Sequence, residues 1–294
     1  MSLNKPVWKL KNWIDIKKLN YSGLCLNPNA INFIINNNIK LDWSCLSKNP
    51  NAIELLEKNQ DKIYWSYLSE NPNAIKILEN NQDKINWFWL SSNPNAIELL
   101  EKNQDKINWV RLSSNPNAIE LIEKNLDKIN WNYLSMNKNA IKILENNPDK
   151  ISWFWLSSNP NAIELLKKNQ DKINWNNLSQ NPNAIELLKK NPDKINWSIL
   201  SMNKNVIEIF EEFKDKIELV SLSFNPNAIK IIEENQNYID WHHFSRNTAI
   251  FELDYEAIKK NNKEIEEELL VKVMEPSRVF KYGGISYLNE LFGN

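Results

Sequence analysis

Glycine is scarce in this sequence: the chain of 294 residues contains four, whereas an average usage of about 7% would give roughly 20. Tight turns, phosphate-binding loops and left-handed helix caps all depend on glycine, so most of these devices are excluded. Histidine and cysteine are rarer still, at two residues each. Cys25 and Cys45 are too few for a disulfide framework or a four-ligand zinc site. We interpret both as small packing or surface residues and expect no metal and no cofactor.

Long apolar runs are also missing. No stretch of about 18 apolar residues occurs, so the sequence predicts no membrane span. The N-terminal sequence MSLNKPVWKLKNW lacks the apolar stretch and the small residues of a signal peptide. We therefore expect a soluble, intracellular protein. Its 36 basic and 37 acidic residues nearly cancel, and this balance disfavours nucleic-acid binding, which requires a basic surface.

Tryptophan, by contrast, is abundant, and it marks an internal repeat of 22 residues. The first copy begins at Tyr21, and Leu219 takes the tryptophan position before the last copy. Most units contain Asn-Pro-Asn-Ala-Ile and, later, Asp-Lys-Ile. Such periodicity is typical of an array in which each unit buries its apolar side chains against its neighbours. The tryptophans that we assign to the structural core of the repeats are Trp43, Trp65, Trp87, Trp109, Trp131, Trp153, Trp175, Trp197 and Trp241.

Similar units also recur every 66 residues. The units that begin at Trp87 and Trp153 differ only in having Glu101 and Lys167 at the same place. This second period indicates that a block of three repeats was duplicated.

Each unit carries two helix-start signals. In Asn93-Pro94-Asn95, an N-cap side chain precedes a proline at the first helical position. Asp83 places negative charge in the first turn of the other helix, where the helix dipole favours it. We therefore predict two helices of roughly 8–10 residues in each unit. One of them carries Ile85, Trp87 and Leu90.

The predicted fold class is all-α, an α-solenoid (superhelix) of about eleven two-helix repeats. The tandem repeats occupy residues 21–250, between an N-terminal capping helix in residues 1–20 and a C-terminal helical cap in residues 251–294. Caps are expected because the outer faces of the end repeats need modification. With helices about 8–10 Å apart, eleven stacked pairs predict a rod or superhelix on the order of 100 Å long.

No residue pattern indicates an enzyme. His242 and His243 are adjacent, so on a helix they point about 100° apart and cannot easily share a metal. Ser91 has an equivalent in nearly every unit, whereas a nucleophile is needed once. We predict that this serine satisfies backbone groups at a helix end, and we interpret the recurring Asp-Lys pair as helix-start electrostatics. We expect no catalytic residue and no small-molecule substrate.

Three positions differ between the copies: the two that follow tryptophan and the one before Asn-Pro. On a helix they fall within an arc of about 100° and share one face. Two interpretations stay open, an interaction face, because aromatic residues favour interface hot spots, and packing between adjacent helices. The candidate interaction residues are Tyr67, Phe88, Trp89, Arg111, Tyr133, Phe154, Trp155, Asn177 and Ile199.

The motif W-x-x-L-S-x-N-P-N-A-I-x-L-L-E-x-N-x-D-K-I, which covers residues 21–250, resembles the tandem repeats of multicopy proteins from giant DNA viruses (mimivirus-like) of amoebae and algae. The stretch Glu275-Pro276-Ser277-Arg278 with Tyr282 resembles the tails of some of these proteins. The resemblance implies a viral source and a location in host cytoplasm or virion. By analogy with ankyrin-type repeat proteins of large viruses, it also implies interaction with a host protein.

Our leading hypothesis is a non-enzymatic scaffold that binds a protein partner through the variable face. One alternative is a structural, self-assembling viral component. Another is a nucleic-acid-binding helical repeat in which each helical pair addresses one base. This last alternative requires a basic stripe, and the variable positions hold Ser, Phe, Met and Trp instead.

Overall fold

The computed structural model of the chain describes residues 6–260 and residue 263. The chain divides into two compact units, Leu10–Phe251 and a second made of Met1–Lys9 and Glu252–Asn294. The first unit contains the repeats and confirms the predicted fold class, an all-α solenoid with about 22 residues per repeat. Of the second unit, the structure describes residues 6–9, 252–260 and 263.

Each repeat has two short helical segments, which we call the A helix and the B helix. The A helix begins at the tryptophan or its equivalent, and the B helix begins after Asn-Pro-Asn-Ala. The A helices are Tyr21–Leu26, Trp43–Lys48, Trp65–Glu70, Trp87–Leu90, Trp109–Leu112, Trp131–Met136, Trp153–Leu156, Trp175–Ser179, Trp197–Met202 and Trp241–Phe244, with the 3-10 helix Ser221–Phe224 in the tenth repeat. The B helices are Ile31–Asn36, Ile53–Glu57, Ile75–Glu79, Ile97–Glu101, Ile119–Glu123, Ile141–Glu145, Ile163–Lys168, Ile185–Lys189 and Ile229–Glu234, with the 3-10 helix Val206–Ile209 in the ninth repeat. Further 3-10 helices are Pro226–Ala228 and Thr248–Ile250.

A separate 3-10 turn precedes most A helices, so the predicted helix through Ile85, Trp87 and Leu90 is wrong. The turn Gln82–Lys84 ends at Ile85, whose φ of −65° and ψ of 129° are extended. Asn86 then caps a new helix by accepting a hydrogen bond from the backbone N–H of Trp89. The 3-10 turns are Ile16–Lys18, Gln60–Lys62, Gln82–Lys84, Gln104–Lys106, Pro148–Lys150, Gln170–Lys172, Pro192–Lys194 and Gln236–Tyr238.

The Asn-Pro-Asn segment is a turn and not the start of a helix as predicted. Asn93 Oδ1 accepts a hydrogen bond from the backbone N–H of Asn95 at 3.0 Å. The B helix begins later, at Ile97, and its N-cap Ala96 makes no side-chain bond. The α-helices are therefore four to six residues long, shorter than predicted, because two extended or turn segments interrupt each unit.

The Asn-Pro-Asn turns of successive repeats are joined by buried side-chain amides, which we call the asparagine ladder. Asn93 Nδ2 donates to the carbonyl oxygens of Ser69, at 3.0 Å, and Asn71, at 2.9 Å. The amide therefore satisfies two backbone acceptors of the preceding repeat, which buried carbonyls require. The ladder residues, all buried, are Asn27, Asn49, Asn71, Asn93, Asn115, Asn137, Asn159, Asn181, Asn203, Asn225 and Asn247.

The ladder continues from the first repeat to the last, so the array closes on itself. Asn27 Nδ2 donates to the carbonyl oxygens of Ser245, at 3.3 Å, and Asn247, at 2.9 Å. From Asn49 to Asn203, each rung uses the equivalent two acceptors of the preceding repeat, whereas Asn225 donates to the Asn203 carbonyl and Asn247 to the Ser223 carbonyl. The prediction of a linear array of stacked repeats with a separate cap at each end is therefore wrong, because the first and last repeats bond to each other.

The N-terminal segment completes the last repeat instead of forming the capping helix predicted for residues 1–20. Its 3-10 turn Ile16–Lys18 matches the 3-10 turn of a complete repeat, and Leu19 is buried like the Ile that follows that turn elsewhere. The Asn20 backbone N–H donates to Ser245 Oγ at 2.8 Å. Residues 15–20 thus supply the 3-10 turn and linker that end a repeat, and they lead into the first A helix.

The closure brings two A helices closer than a side chain at Gly23 would permit. A Cβ atom there would lie 2.8 Å from Ser245 Cβ and 3.0 Å from the carbonyl oxygen of His242. Other repeats carry larger residues at this position, such as Tyr67 and Trp89. Gly23 is therefore the residue that lets the first and last A helices meet.

The described residues also include two short strands. Strand β1 is Trp8–Leu10 and strand β2 is Phe251–Leu253, and they form a two-stranded sheet. The Lys11 N–H donates to the Ile250 carbonyl, and the Asp254 N–H donates to the Val7 carbonyl. Because the paired residue numbers run in opposite directions, the strands are antiparallel. In the C-terminal helical cap predicted for residues 251–294, residues 255–260 and 263 are helical, but Phe251–Leu253 is a strand instead. The other residues after 260 lie outside the described part of the chain.

Apart from Phe244, the large fully buried side chains of the core are aliphatic, and the tryptophans assigned to the core are only half-buried. In a typical repeat, Leu90, Ala96 and Leu100 have no exposed surface. Most of these tryptophans instead present a ring face to a lysine near the end of the same unit, and the Lys106 Nζ lies 4.7 Å from the Trp87 ring centroid. The same contact crosses the closure, where Lys18 Nζ lies 5.3 Å from the Trp241 ring.

Closure predicts that the Asn20 amide hydrogen is protected from solvent exchange by a residue 225 positions away. Ser245→Ala removes the acceptor of this amide and lowers the free energy of local opening by about 1–1.5 kcal/mol, the value of one hydrogen bond. Exchange of the Asn20 amide should therefore accelerate by about tenfold. Residue-resolved amide exchange would measure it. The matched interior control is Ser69→Ala, which should accelerate Asn86 in the same way because Asn86 N–H donates to Ser69 Oγ at 3.0 Å. An Asn20 amide that exchanges at the rate of an unstructured chain in the wild type would contradict closure.

Candidate interaction surface

The three variable positions of each repeat lie on the A helix and just after it, and we call their combined surface the variable strip. A helices of neighbouring repeats pack against one another, as Tyr21–Leu26 does with Trp43–Lys48 and Trp65–Glu70 with Trp87–Leu90. The positions therefore follow one another from repeat to repeat. The strip is continuous across repeats although its residues are 22 apart in sequence.

The first variable position, directly after tryptophan, faces solvent in most repeats. Phe88 is 45% exposed and Phe154 is 50% exposed, and Val110, between them in the array, is also exposed. Neither phenylalanine belongs to the buried core. Both side chains are available to a partner.

The second variable position is half-buried and contacts the preceding repeat. The Arg111 guanidinium lies 4.1 Å from the Trp89 ring centroid, and Asn177 Nδ2 donates to the Phe154 carbonyl at 2.7 Å. Lys48 Nζ lies 4.2 Å from the Tyr67 ring. The two interpretations left open by the sequence thus divide between the two positions: the first is exposed, and the second also packs between helices. The half-buried candidates are Tyr67, Trp89, Arg111, Tyr133, Trp155, Asn177 and Ile199.

Charge is nearly absent from the variable strip in repeats three to nine. At the variable positions of these repeats, Glu70 and Arg111 are the only Asp, Glu, Lys or Arg residues. The exposed surface of the B helices is charged by comparison, with Glu98, Glu101 and Lys102 on a single unit. The strip is therefore an uncharged, partly aromatic surface on a protein whose other faces are rich in charge.

The recurring serine has a structural role, as predicted. Ser91 Oγ donates to the Trp87 carbonyl at 2.7 Å and accepts from the Asn108 backbone N–H at 2.9 Å. The hydroxyl thus links the end of one A helix to the start of the next. The Ser91 O–H and one lone pair of its oxygen are both used in these backbone hydrogen bonds, which account for the recurrence of this serine.

Neither cysteine is activated as a nucleophile. Cys25 stands in the serine position of the first repeat, and its Sγ accepts from the Asp42 backbone N–H at 3.4 Å. Burial raises the pKa of the Cys25 thiol. Burial, followed by the hydrogen bond to Asp42, raises the pKa of Cys45 to about 11. Reactive cysteines have lowered pKa values, because the thiolate is the attacking form.

The two histidines are placed differently from each other. His242 is exposed. His243 Nδ1 lies 2.7 Å from Asp240 Oδ2, and its ring centroid lies 3.9 Å from that of Phe224. Burial alone would raise the pKa of Asp240, but hydrogen bonds from His243 hold it below its ordinary value. In the described part of the chain, no serine or cysteine hydrogen-bonds to His243.

Asp42 is the most strongly bonded carboxylate of the array. It accepts hydrogen bonds from the hydroxyls of Ser44 and Ser22, each at 2.7 Å. It also caps the second A helix by accepting from the backbone N–H groups of Ser44 and Cys45. The Ser44 bond is the main cause that lowers the pKa of Asp42 far below its ordinary value, and the Ser22 bond adds to it.

Within residues 6–260, no group of three or more His, Cys, Asp or Glu side chains could hold a metal ion. Every described helix is too short or too polar to cross a bilayer. No protein-family model, curated protein or solved structure matches this chain.

The exposure of the first variable position predicts that Phe88 contributes little to stability. Phe88→Ala should lower the free energy of unfolding by about 1 kcal/mol, the contribution of its ring contacts with Trp89 and Arg111. The control is Leu90→Ala in the same helix, which creates a cavity in the core and should cost about 2–5 kcal/mol. Urea unfolding followed by circular dichroism would give both values. Equal losses would show that Phe88 belongs to the core.

The lowered pKa of Asp42 predicts acid sensitivity. A carboxyl whose folded pKa is depressed stabilises the fold above its unfolded pKa, near 3.9, and this contribution is lost as the pH falls below that value. Asp42→Asn should therefore be less stable than the wild type at neutral pH, and the gap should narrow toward about pH 3. Urea titrations at the two pH values measure the gap. A difference that stays constant with pH would rule out this contribution.

Proposed function

We propose that this protein is a non-enzymatic scaffold that binds a protein partner through the variable strip. The observation that carries the proposal is the exposure of Phe88 and Phe154, at 45% and 50%, in units whose other positions are nearly invariant. Selection for folding alone gives no reason to place aromatic side chains in solvent at positions that are otherwise free to vary. Aromatic residues are enriched at the centres of protein interfaces.

The surroundings of these phenylalanines support the proposal. Phe88 contacts Trp89 edge-to-face, with ring centroids 5.1 Å apart and planes at 90°. Phe154 and Trp155 repeat this arrangement at 4.9 Å and 90°. A side chain fixed by a neighbouring ring loses less conformational entropy on binding, so less of its favourable contact free energy is offset. The near-absence of charge on the strip also matches the depletion of charged residues at interface cores.

The partner that we propose is a host protein, on the resemblance of the repeat motif to those of giant DNA viruses. The nucleic-acid alternative has little support from the strip, because it needs several cations to neutralise phosphates. Self-assembly through free repeat ends also lacks support, because Asn27 bonds to Ser245 and Asn247 and no end repeat is left unpaired. An intracellular location remains part of the proposal.

The experiment is binding by a variant in which Phe88 and Phe154 are both replaced by alanine. A partner captured from cell lysate is identified, purified and titrated against both proteins. Loss of two hot-spot residues should raise Kd by about tenfold or more, with the melting temperature nearly unchanged. Trp89→Ala with Trp155→Ala should weaken binding similarly.

The matched control is Tyr238→Ala. Tyr238 is 53% exposed but lies in a 3-10 turn and is not one of the three variable positions, so its loss should leave Kd within about twofold. If the phenylalanine variant binds as the wild type does, the strip is not the binding surface. A large loss of helix in that variant would show instead that these side chains maintain the fold.

A further inference from the structure

The two aromatic pairs of the variable strip lie three repeats apart and differ in the repeat that follows each. Phe88 and Trp89 are followed by Arg111, one repeat later. The equivalent residue after Phe154 and Trp155 is Asn177. Because the two pairs have the same ring geometry, the chemical difference between the sites comes from the neighbouring repeat.

Arg111 lies across both rings of the first pair. Its guanidinium carbon is 4.1 Å from the Trp89 ring centroid and 4.7 Å from that of Phe88. Its backbone is fixed as well, since Asn108 Oδ1 accepts from the Arg111 N–H at 3.0 Å. Stacking on aromatic faces orients a guanidinium while leaving its edge donors able to bind.

This cation has no anionic partner in the described part of the chain. None of the ion pairs formed by residues 6–260 includes Arg111, and its Nε is buried without a hydrogen-bond acceptor. Because the Nε is buried while the residue as a whole is half-buried, an acceptor from outside pairs with the terminal Nη groups of Arg111 and not with its Nε. A carboxylate fits best, because it can accept two parallel bonds from one guanidinium.

Asn177 provides no such donor at the second site. Its Nδ2 already donates to the Phe154 carbonyl at 2.7 Å, and its side chain carries no charge. Asn176 beside it replaces Val110 of the first site, which makes the second site more polar. The second pair therefore offers aromatic surface without a cation.

We propose that Phe88, Trp89 and Arg111 bind a segment of the protein partner in which an Asp or Glu carboxylate lies next to an apolar side chain. The carboxylate pairs with Arg111, and the apolar side chain packs on Phe88. This inference rests on the proposed function and adds to it the chemistry of the bound segment. Phe154, Trp155 and Asn177 bind an uncharged segment by the same aromatic contacts.

The test uses the full chain and a displayed library of short random peptides, selected separately on the wild type and on Arg111→Asn, which gives the first site the residue of the second. Peptides selected on the wild type should be enriched in Asp and Glu, and those selected on the variant should not be. For one selected acidic peptide, Arg111→Asn should raise Kd by about tenfold, as expected for loss of a desolvated charge pair. Replacing the acidic residue of the peptide by its amide should cause a similar loss, and the two changes together should cost little more than one.

Asn177→Arg is the reciprocal variant and should tighten binding of the acidic peptide, with a stronger dependence on salt. One contrary result is a set of peptides that depend on Phe88 for binding and yet have the same Kd for Arg111→Asn as for the wild type. That result would overturn the carboxylate assignment and leave the proposed function intact. Selection of no peptide that depends on Phe88 or Phe154 would overturn both. Binding of an oligothymidine probe that needs Arg111, without binding of acidic peptides, would show that the cation serves a phosphate and would overturn the assignment to a protein segment.

Discussion

The structure depends on one interaction, the hydrogen bonds from a buried asparagine amide to two backbone carbonyls of the preceding repeat. Asn93 satisfies Ser69 and Asn71 in this way, and its own carbonyl is satisfied by Asn115 in turn. The α-helices are four to six residues long, too short to be stable alone. The ladder fixes the spacing and orientation of neighbouring units, so that Leu and Ala side chains can pack into a continuous core.

This arrangement separates positions that hold the array together from positions that do not. Asparagine, serine and the core leucines each bond or pack to the adjacent repeat, and the lysine that ends most of the 3-10 turns covers a tryptophan ring, as Lys106 covers Trp87. These contacts use almost every recurring residue of the unit. Phe88 and Phe154 take no part in the core, which leaves the variable strip as the surface where the copies differ without disturbing the fold.

The period, the fold class and the role of the serine could be predicted from the sequence because each depends on residues within one unit. The ladder could not, because Asn93-Pro94 gives the same local signal for a helix cap and for a turn. What decides between them is a carbonyl 22 residues earlier. One feature of the sequence does indicate closure. Lys18 lies 22 residues before Lys40 and 44 before Lys62, so the repeat register extends into the segment predicted as a cap. The half-burial of Trp89 and Arg111 depends on contacts between repeats, which no single unit reveals.

The close contact at Gly23 limits how the number of repeats in the gene can change. In an open array, a repeat can be gained or lost with little effect on the others, since each contacts only its neighbours. Units as alike as those beginning at Trp87 and Trp153 favour such events, because recombination exchanges near-identical segments. Here a changed number of units would alter the angle needed at every interface to bring Gly23 against Ser245. Closure therefore constrains the number of repeats that the gene can encode, whereas substitutions on the variable strip remain open to selection.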